Sequence, residues 1–306
     1  MSRVLLTGAS GFVGAPTLDA LVRAGHEVHA LAREPGRPLD GVSWHVADLL
    51  DPDAGSLLRE LLDDLAPELL VHLAWYAEHG KFWAATENVR WVEASLALLR
   101  AFTAAGGRRA VMVGTCAEYD WSRSEPFDEQ APLRPATLYG AAKHGLHTVA
   151  AALCHQVGVE FAWGRLFFLY GPFEAPGRFV SSIVLPLLRD EPATMTAGTQ
   201  RRDFLHTVDA GGALAALAAS DVVGPVNIAS GEVLELRDLA QRIAARIDTG
   251  QLRLGARPMP EGEPPALLAD ARRLHEEVGW RPSLDIDEGL DQAIDWWRMR
   301  LAAESE

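Results

Sequence analysis

Tyr139-Gly140-Ala141-Ala142-Lys143 sets a phenol and an ammonium four residues apart, a spacing that puts both on one face of a helix. A free tyrosine titrates near about 10, too high to exchange a proton readily at neutral pH. A fixed cation beside it favours the phenolate and lowers that value. The pair is then a general acid for reducing a carbonyl, or a base for oxidising a carbinol. Y-x-x-x-K alone is a common accident. Gly114-Thr115, at the end of an upstream apolar run, adds a hydroxyl able to bond the same oxygen.

Such chemistry needs a hydride carrier, and the first residues supply a seat for one. Thr7-Gly8-Ala9-Ser10-Gly11-Phe12-Val13-Gly14 follows an apolar run and opens a helical pattern. Glycine at 8, 11 and 14 lets the backbone turn tightly and approach a pyrophosphate, whose charge rests on the helix N-terminus. Ser10, Phe12 and Val13 join the glycines as cofactor-binding candidates. Pro16 falls in the first helical turn, where a missing N–H is tolerated. A plain glycine turn is the alternative; its place between strand and helix favours the dinucleotide.

The end of the second strand selects between NAD and NADP. An acid there holds a ribose 2′-OH, and an arginine accommodates a 2′-phosphate. Ala32 stands where the acid is expected and Arg33 follows, with Arg37 nearby. NADP(H) is favoured over NAD(H). The alternative for Arg33 is a solvated loop charge. Asp48, followed by Leu49, closes the third strand and either meets the adenine edge or caps the next turn.

These residues must be carried by regular elements. Short β-rich runs at Val4–Thr7, Glu27–Leu31, Ser43–Val46, Leu69–His72, Ala110–Gly114 and Glu160–Leu166 alternate with helical patterns at Ala15–Ala24, Leu57–Asp64, Thr86–Ala105 and Tyr139–Val157. That rhythm predicts βαβ units, hence an α/β, doubly wound (Rossmann) parallel sheet. After about residue 170 the rhythm breaks at Gly171-Pro172. Residues 1–169 read as the dinucleotide-binding domain, with strands at Phe204–Val208 and Val226–Ile228 returning to the sheet edge. Residues 170–306, with helical patterns at Glu235–Ile247 and Leu290–Met299, read mainly as a smaller mixed substrate lobe over the sheet's carboxyl edge, where ligands bind in open α/β folds.

The 306 residues suffice for a sizeable core, with hydrophobic and charged content ordinary for a globular protein. A formal net charge of −14 argues against a nucleic-acid partner. It leaves room for an anionic small ligand held by local arginines. Two cysteines, Cys116 and Cys154, fit a reduced compartment rather than a disulfide framework. The apolar run after Met1 is too short for a signal or membrane helix, so a cytoplasmic protein without a membrane partner is expected. No H-E-x-x-H or cysteine pair points to a metal.

Further matches follow in order: His72-Leu73-Ala74, Asn88, Arg165…Tyr170-Gly171-Pro172, Arg202-Asp203-Phe204-Leu205-His206-Thr207-Val208-Asp209 and Leu274…Gly279-Trp280-Arg281-Pro282. With the glycine loop, Thr115 and Tyr139/Lys143, they resemble the extended short-chain dehydrogenase/reductases, specifically the NAD(P)-dependent nucleotide-sugar epimerase/dehydratase family, over essentially the whole chain. The resemblance implies a catalytic triad of Thr115, Tyr139 and Lys143, with Lys143 also on the nicotinamide ribose. It implies that Asn88 steadies Lys143 through a water or main chain, and that His72, Leu73, Ala74 and Trp75 pass along the cofactor. It implies a nucleoside-diphosphate sugar as substrate, with Arg202 and, more loosely, Arg178 and Arg272 on the diphosphate. Thr115, Cys116, Ala117 and Tyr139 would face the sugar. A homodimer through the helices at Thr86–Ala105 and Tyr139–Val157 is implied too.

Departures from the family pattern narrow the reaction. Members that dehydrate sugars at C4 and C6 carry two acids directly after the threonine. Here those positions are Cys116 and Ala117, and Glu118 comes one residue late. Phe167-Phe168-Leu169 stands where relatives often carry an asparagine, which makes the pocket more apolar. The aromatics Trp75, Tyr76, Phe82 and Trp83 either wall the site or simply pack their loop. An NADPH-dependent ketoreductase acting on a nucleotide-bound keto-deoxysugar is the leading expectation. An NAD-dependent nucleotide-sugar epimerase, a reductase of a non-nucleotide ketone and a non-catalytic NADP-binding protein are the alternatives.

Overall fold

The computed structural model describes residues 1–123, 126–248 and 250–304. In chain order the first half runs β1 (Arg3–Thr7), α1 (Gly14–Arg23), β2 (Glu27–Ala32), β3 (Val42–Val46), α2 (Ala54–Leu65), β4 (Leu69–His72), α3 (Glu87–Ala104), β5 (Arg109–Thr115), α4 (Leu138–Val157) and β6 (Glu160–Leu166). The second half runs β7 (Phe168–Tyr170), α5 (Phe179–Leu188), β8 (Ala193–Thr194), β9 (Arg201–Arg202), β10 (Phe204–His206), α6 (Thr207–Ala219), β11 (Gly224–Ile228), β12 (Leu234–Glu235), α7 (Leu236–Ile247), β13 (Leu252–Arg253), β14 (Ala266–Leu267) and α8 (Ile286–Glu304).

The main sheet has seven strands in the order β11-β6-β5-β4-β1-β2-β3, every pair parallel. Helices cover both faces, so its strands are apolar on both sides. Val4 and Leu6 of β1, Val71 of β4 and Val111 of β5 share one cluster with Leu18 and Leu21 of α1 and Leu214 and Leu217 of α6. Leu5, Leu70 and Met112, one residue out of phase, pack on the other face with Leu58 and Leu62 of α2, Leu98 and Phe102 of α3 and Leu146 of α4. The strand order reverses between β1 and β4, which opens a crevice at their carboxyl ends.

Two expectations need correction. The run Phe204–Val208 is not one strand: β10 ends at His206, and Thr207 and Val208 open α6. His206 Nδ1 accepts the Val208 N–H at 3.3 Å and caps that helix, so the β-branched pair enters a helix rather than extending a strand. Nor does β10 reach the main sheet. It pairs with β7 in a separate two-stranded sheet, and β11 takes the edge beside β6. The lobe beyond has its own core, with Val180, Ile183 and Val184 of α5, Leu239 and Ile243 of α7 and Leu290, Ile294 and Trp297 of α8. Among the described residues, no helix is long and apolar enough to cross a membrane.

Candidate active site

The glycine loop joins β1 to α1 at the switch point. Gly8 has φ +72°, a left-handed conformation, and a Cβ there would lie 2.8 Å from the Ala74 nitrogen. A Cβ on Gly14 would lie 1.8 Å from the Gly8 carbonyl oxygen, so only glycine lets α1 start this close to the strand. No side chain caps the N-terminus of α1. A bare helix end beside an unobstructed loop suits a pyrophosphate, and the residues present fit a dinucleotide. Leu73 and Ala74 close the loop from β4, the Leu73 N–H reaching the Thr7 carbonyl. Asp48 is exposed and accepts the Leu50 N–H at 2.9 Å, as a turn cap would, while Leu49 is buried. Arg33 is exposed just after buried Ala32. Arg37 pairs with Asp19, and its carbonyl holds the Trp44 indole.

Thr115, Tyr139 and Lys143 meet where β5 ends against α4. Thr115 lies close enough to Tyr139 for its hydroxyl to act on the phenol. Burial raises the Tyr139 phenol above its ordinary value, against the opposing effects of Thr115 and the Arg178 charge. The sequence expectation was a value lowered by Lys143. Instead the Lys143 ammonium donates to the Val113 carbonyl at 2.8 Å and lies 3.7 Å from the centre of the Trp75 ring. Burial brings that ammonium down to about 7, partly offset by Glu118. Asn88 does not bond Lys143. Its Oδ1 accepts from Trp75 Nε1 at 2.8 Å and its amide donates to the Phe82 and Ala85 carbonyls. It therefore positions the ring on which Lys143 rests.

Beyond Thr115 the chain forms a single 3-10 turn, Cys116–Glu118. Cys116 and Ala117 are buried, and burial pushes the Cys116 thiol up to about 12, so it stays neutral. Glu118 turns away from the cleft. Its carboxylate accepts the Thr115 N–H at 2.9 Å, Trp163 Nε1 at 3.0 Å and Arg165 Nε at 3.2 Å, wholly buried. Arg165 continues this network to the Tyr119 hydroxyl, which donates to Asn227. Sequence reading missed the network, although an arginine inside the apolar run of β6 was its signal. Glu118, His144 and His147 lie close enough to share an ion, their ligand atoms within 4.8 Å of one another. The carboxylate is already committed to three donors, one of them cationic Arg165.

The three arginines expected on the diphosphate separate in the structure. Arg202 is buried beside Glu263 and the Pro264 carbonyl, its guanidinium 5.5 Å from the Phe168 ring, and its charge acts on Cys116. Arg178, at the start of α5, lies over the Phe12 ring at 5.3 Å and 3.9 Å from buried Glu174. Burial lifts Glu174 to about 7. Both arginines thus act electrostatically on groups of the catalytic cluster. Arg272 is exposed and paired with Asp270, engaged away from those residues.

A family model described as the NAD dependent epimerase/dehydratase family matches residues 4–229. The chain belongs to that family. UDP-glucuronic acid decarboxylase 1 of Xenopus tropicalis is 26% identical over 312 residues, covering 98% of this chain and 73% of that protein. Among solved structures, the NAD-dependent NDP-hexosamine 5,6-dehydratase TunA is 28% identical with TM-score 0.83, covering 98% of this chain and 99% of its own. MoeE5 in complex with UDP-glucuronic acid and NAD is 26% identical with TM-score 0.83, covering 97% and 99%. UDP-glucose 4-epimerase of Thermotoga maritima, at 20% identity and TM-score 0.86, shares the fold. MoeE5 thus binds both a nicotinamide cofactor and a nucleotide sugar. The sequence left open whether Trp75, Tyr76, Phe82 and Trp83 wall the site or pack their loop, and the structure brings two of them against Tyr139. Phe82 and Trp83 stand edge-on to its ring, at 4.8 and 5.8 Å between centroids.

Proposed function

We propose that this enzyme reduces a keto group on a nucleoside-diphosphate keto-deoxysugar, with NADPH as cofactor and Tyr139 as general acid. One observation carries the reading: the acid that follows Thr115 is turned into the core and bound to Arg165. Eliminating a hydroxyl needs a second acid or base beside the sugar. Cys116 is neutral and Ala117 cannot titrate, so hydroxyl groups alone face the reacting carbon from this turn.

Bound at the glycine loop, the dinucleotide supplies the hydride. Thr115 and Tyr139 converge on the carbonyl oxygen, and the phenol gives its proton to the developing alkoxide. Lys143 holds the nicotinamide ribose, and Thr115 with the Arg178 charge steadies the phenolate left behind. Asn88 acts through Trp75. Arg202 and Arg178 take the diphosphate, and Arg33, with no acid beside it, takes the 2′-phosphate. On this reading residues 1–169 with residues 207–228 form the cofactor half, and the remainder after residue 170 the substrate half. Exposed Val89 of α3 and Val149 and Val157 of α4 support a homodimer through those helices.

Incubation with thymidine-diphosphate 4-keto-6-deoxysugars and NADPH tests the reading. Consumption of the reduced cofactor is expected, and none across several keto-sugars overturns it. A second reading, a nucleotide-sugar epimerase holding NAD, draws support from the NAD complex of MoeE5. It requires the purified protein to retain NAD and to need none added.

A further inference from the structure

We infer that Trp75 is a positioning residue for Lys143, its indole face keeping the buried amine charged and seated for the nicotinamide ribose where a carboxylate would otherwise be needed. This rests on the cofactor reading above and adds what holds the ammonium in its charged form.

A buried amine loses its water and drifts towards the neutral form, and burial brings Lys143 down to about 7. Among the described residues, no carboxylate pairs with it. Its direct partners are the Val113 carbonyl at 2.8 Å and the Trp75 ring, whose centre lies 3.7 Å from the nitrogen. That is well inside the roughly 6 Å over which an aromatic face attracts a cation. The titratable groups facing it from other elements are Glu118, in the turn after β5, and His72 of β4, with Tyr139 one turn back on α4. Glu118 already answers to Arg165. His72 stays neutral, because burial and the ammonium together bring it down to about 3.

The ring is fixed in place. Trp75 Nε1 donates to Asn88 Oδ1 at 2.8 Å, and the Asn88 amide is tied to the Phe82 and Ala85 carbonyls. Trp91 of α3 stacks on it, with 6.0 Å between centres and 30° between planes. With its N–H committed to Asn88, the indole offers Lys143 its face. A ring suits this place better than a carboxylate. A full negative charge beside Tyr139 would oppose the phenolate that oxidation needs, whereas a ring quadrupole holds a cation at short range and adds no net charge. An ammonium has three donors. One is on Val113 and one side rests on the ring, which leaves a donor for a ribose hydroxyl.

The chain has two lysines, Lys143 and exposed Lys81, so isotope labelling of lysine side chains gives two NMR signals, and Lys81→Arg assigns them. In cofactor-free protein the Lys143 signal should titrate at about 7. Trp75→Leu should weaken proton binding at Lys143 about ten-fold, and Trp75→Phe, which keeps a ring face, should retain most of the wild-type value. Fluorinated tryptophans at position 75 alone weaken the face at nearly constant shape, and each added fluorine should lower the titration further. A Lys143 titration unmoved or raised in a folded Trp75→Leu, or flat across the fluorinated series, overturns the inference and leaves the cofactor reading intact. Adding NADP+ to the wild type tests that reading separately. The Lys143 signal should move; a signal indifferent to the dinucleotide removes the ribose contact, and with it the seating role of Trp75.

Discussion

A phenol that burial makes reluctant to ionise begins the reductive direction in the form it needs. Tyr139 is protonated throughout the neutral range and imposes no pH dependence on reduction there, so a change in rate between about pH 6 and 8 reports Lys143, which burial brings down to about 7. Oxidation needs the phenolate and should accelerate with pH over the same range. A rate of reduction that rises with pH through neutrality, as an ionised phenol would give, would contradict the assignment. Tyr139→Phe should lower kcat by about 10²–10⁴, with cofactor affinity, measured by fluorescence titration, nearly unchanged. Glu118 makes a different contribution. It and Arg165 are both fully buried, and removing one charge strands the other. Glu118→Gln should cost about 3–5 kcal/mol in urea unfolding, a loss of stability rather than of a catalytic acid.

Elements meet at the site through a few buried contacts, and one of these is sensitive to acid. His72 of β4 bonds Thr7 of β1 at 2.7 Å and Ser95 of α3 at 2.8 Å, and burial lowers it to about 3. Its unfolded value is near 6.5, so the unfolded chain binds more protons between those two values. Stability is fully present above about pH 6.5 and is lost as pH falls towards 3. Urea midpoints should decline over that window, and the decline should be shallower in His72→Asn. The elements that build this junction were legible in the sequence, because short continuous apolar runs with helical patterns between them leave little choice of topology. Leu69–His72 and Glu160–Leu166 have the expected bounds. α6 was not legible, since Thr207-Val208 extends a β-rich run and only the histidine cap, a tertiary arrangement, starts the helix. The glycine loop and the Tyr139 spacing are local signals. The fate of Glu118 is not, because Trp163 and Arg165 reach it from a neighbouring strand that no local pattern connects. The lowered phenol expected from a Tyr-Lys spacing failed for the same reason: Lys143 found the Val113 carbonyl and the Trp75 ring first.

At the scale of the molecule, the cofactor on this proposal lies at the sheet's switch point and glycine loop, and the sugar against the lobe around α5, α7 and α8. Cofactor choice belongs to this scale, because Arg33 lies at the rim, apart from the reacting groups. Arg33→Ala should reduce kcat/KM for NADPH about ten-fold, the scale of a lost charge-assisted hydrogen bond, and leave that for NADH nearly unchanged. Val149→Arg, in the exposed stripe of α4, should convert a dimer into a monomer by light scattering. The account as a whole stands on hydride arriving at a sugar carbon while Tyr139 protonates its oxygen. Mass spectrometry of the product formed with NADPH deuterated at the transferring position reads this directly. One deuterium on the new carbinol carbon of the sugar is the predicted result. A product without deuterium, formed while the reduced cofactor is not consumed, would contradict it.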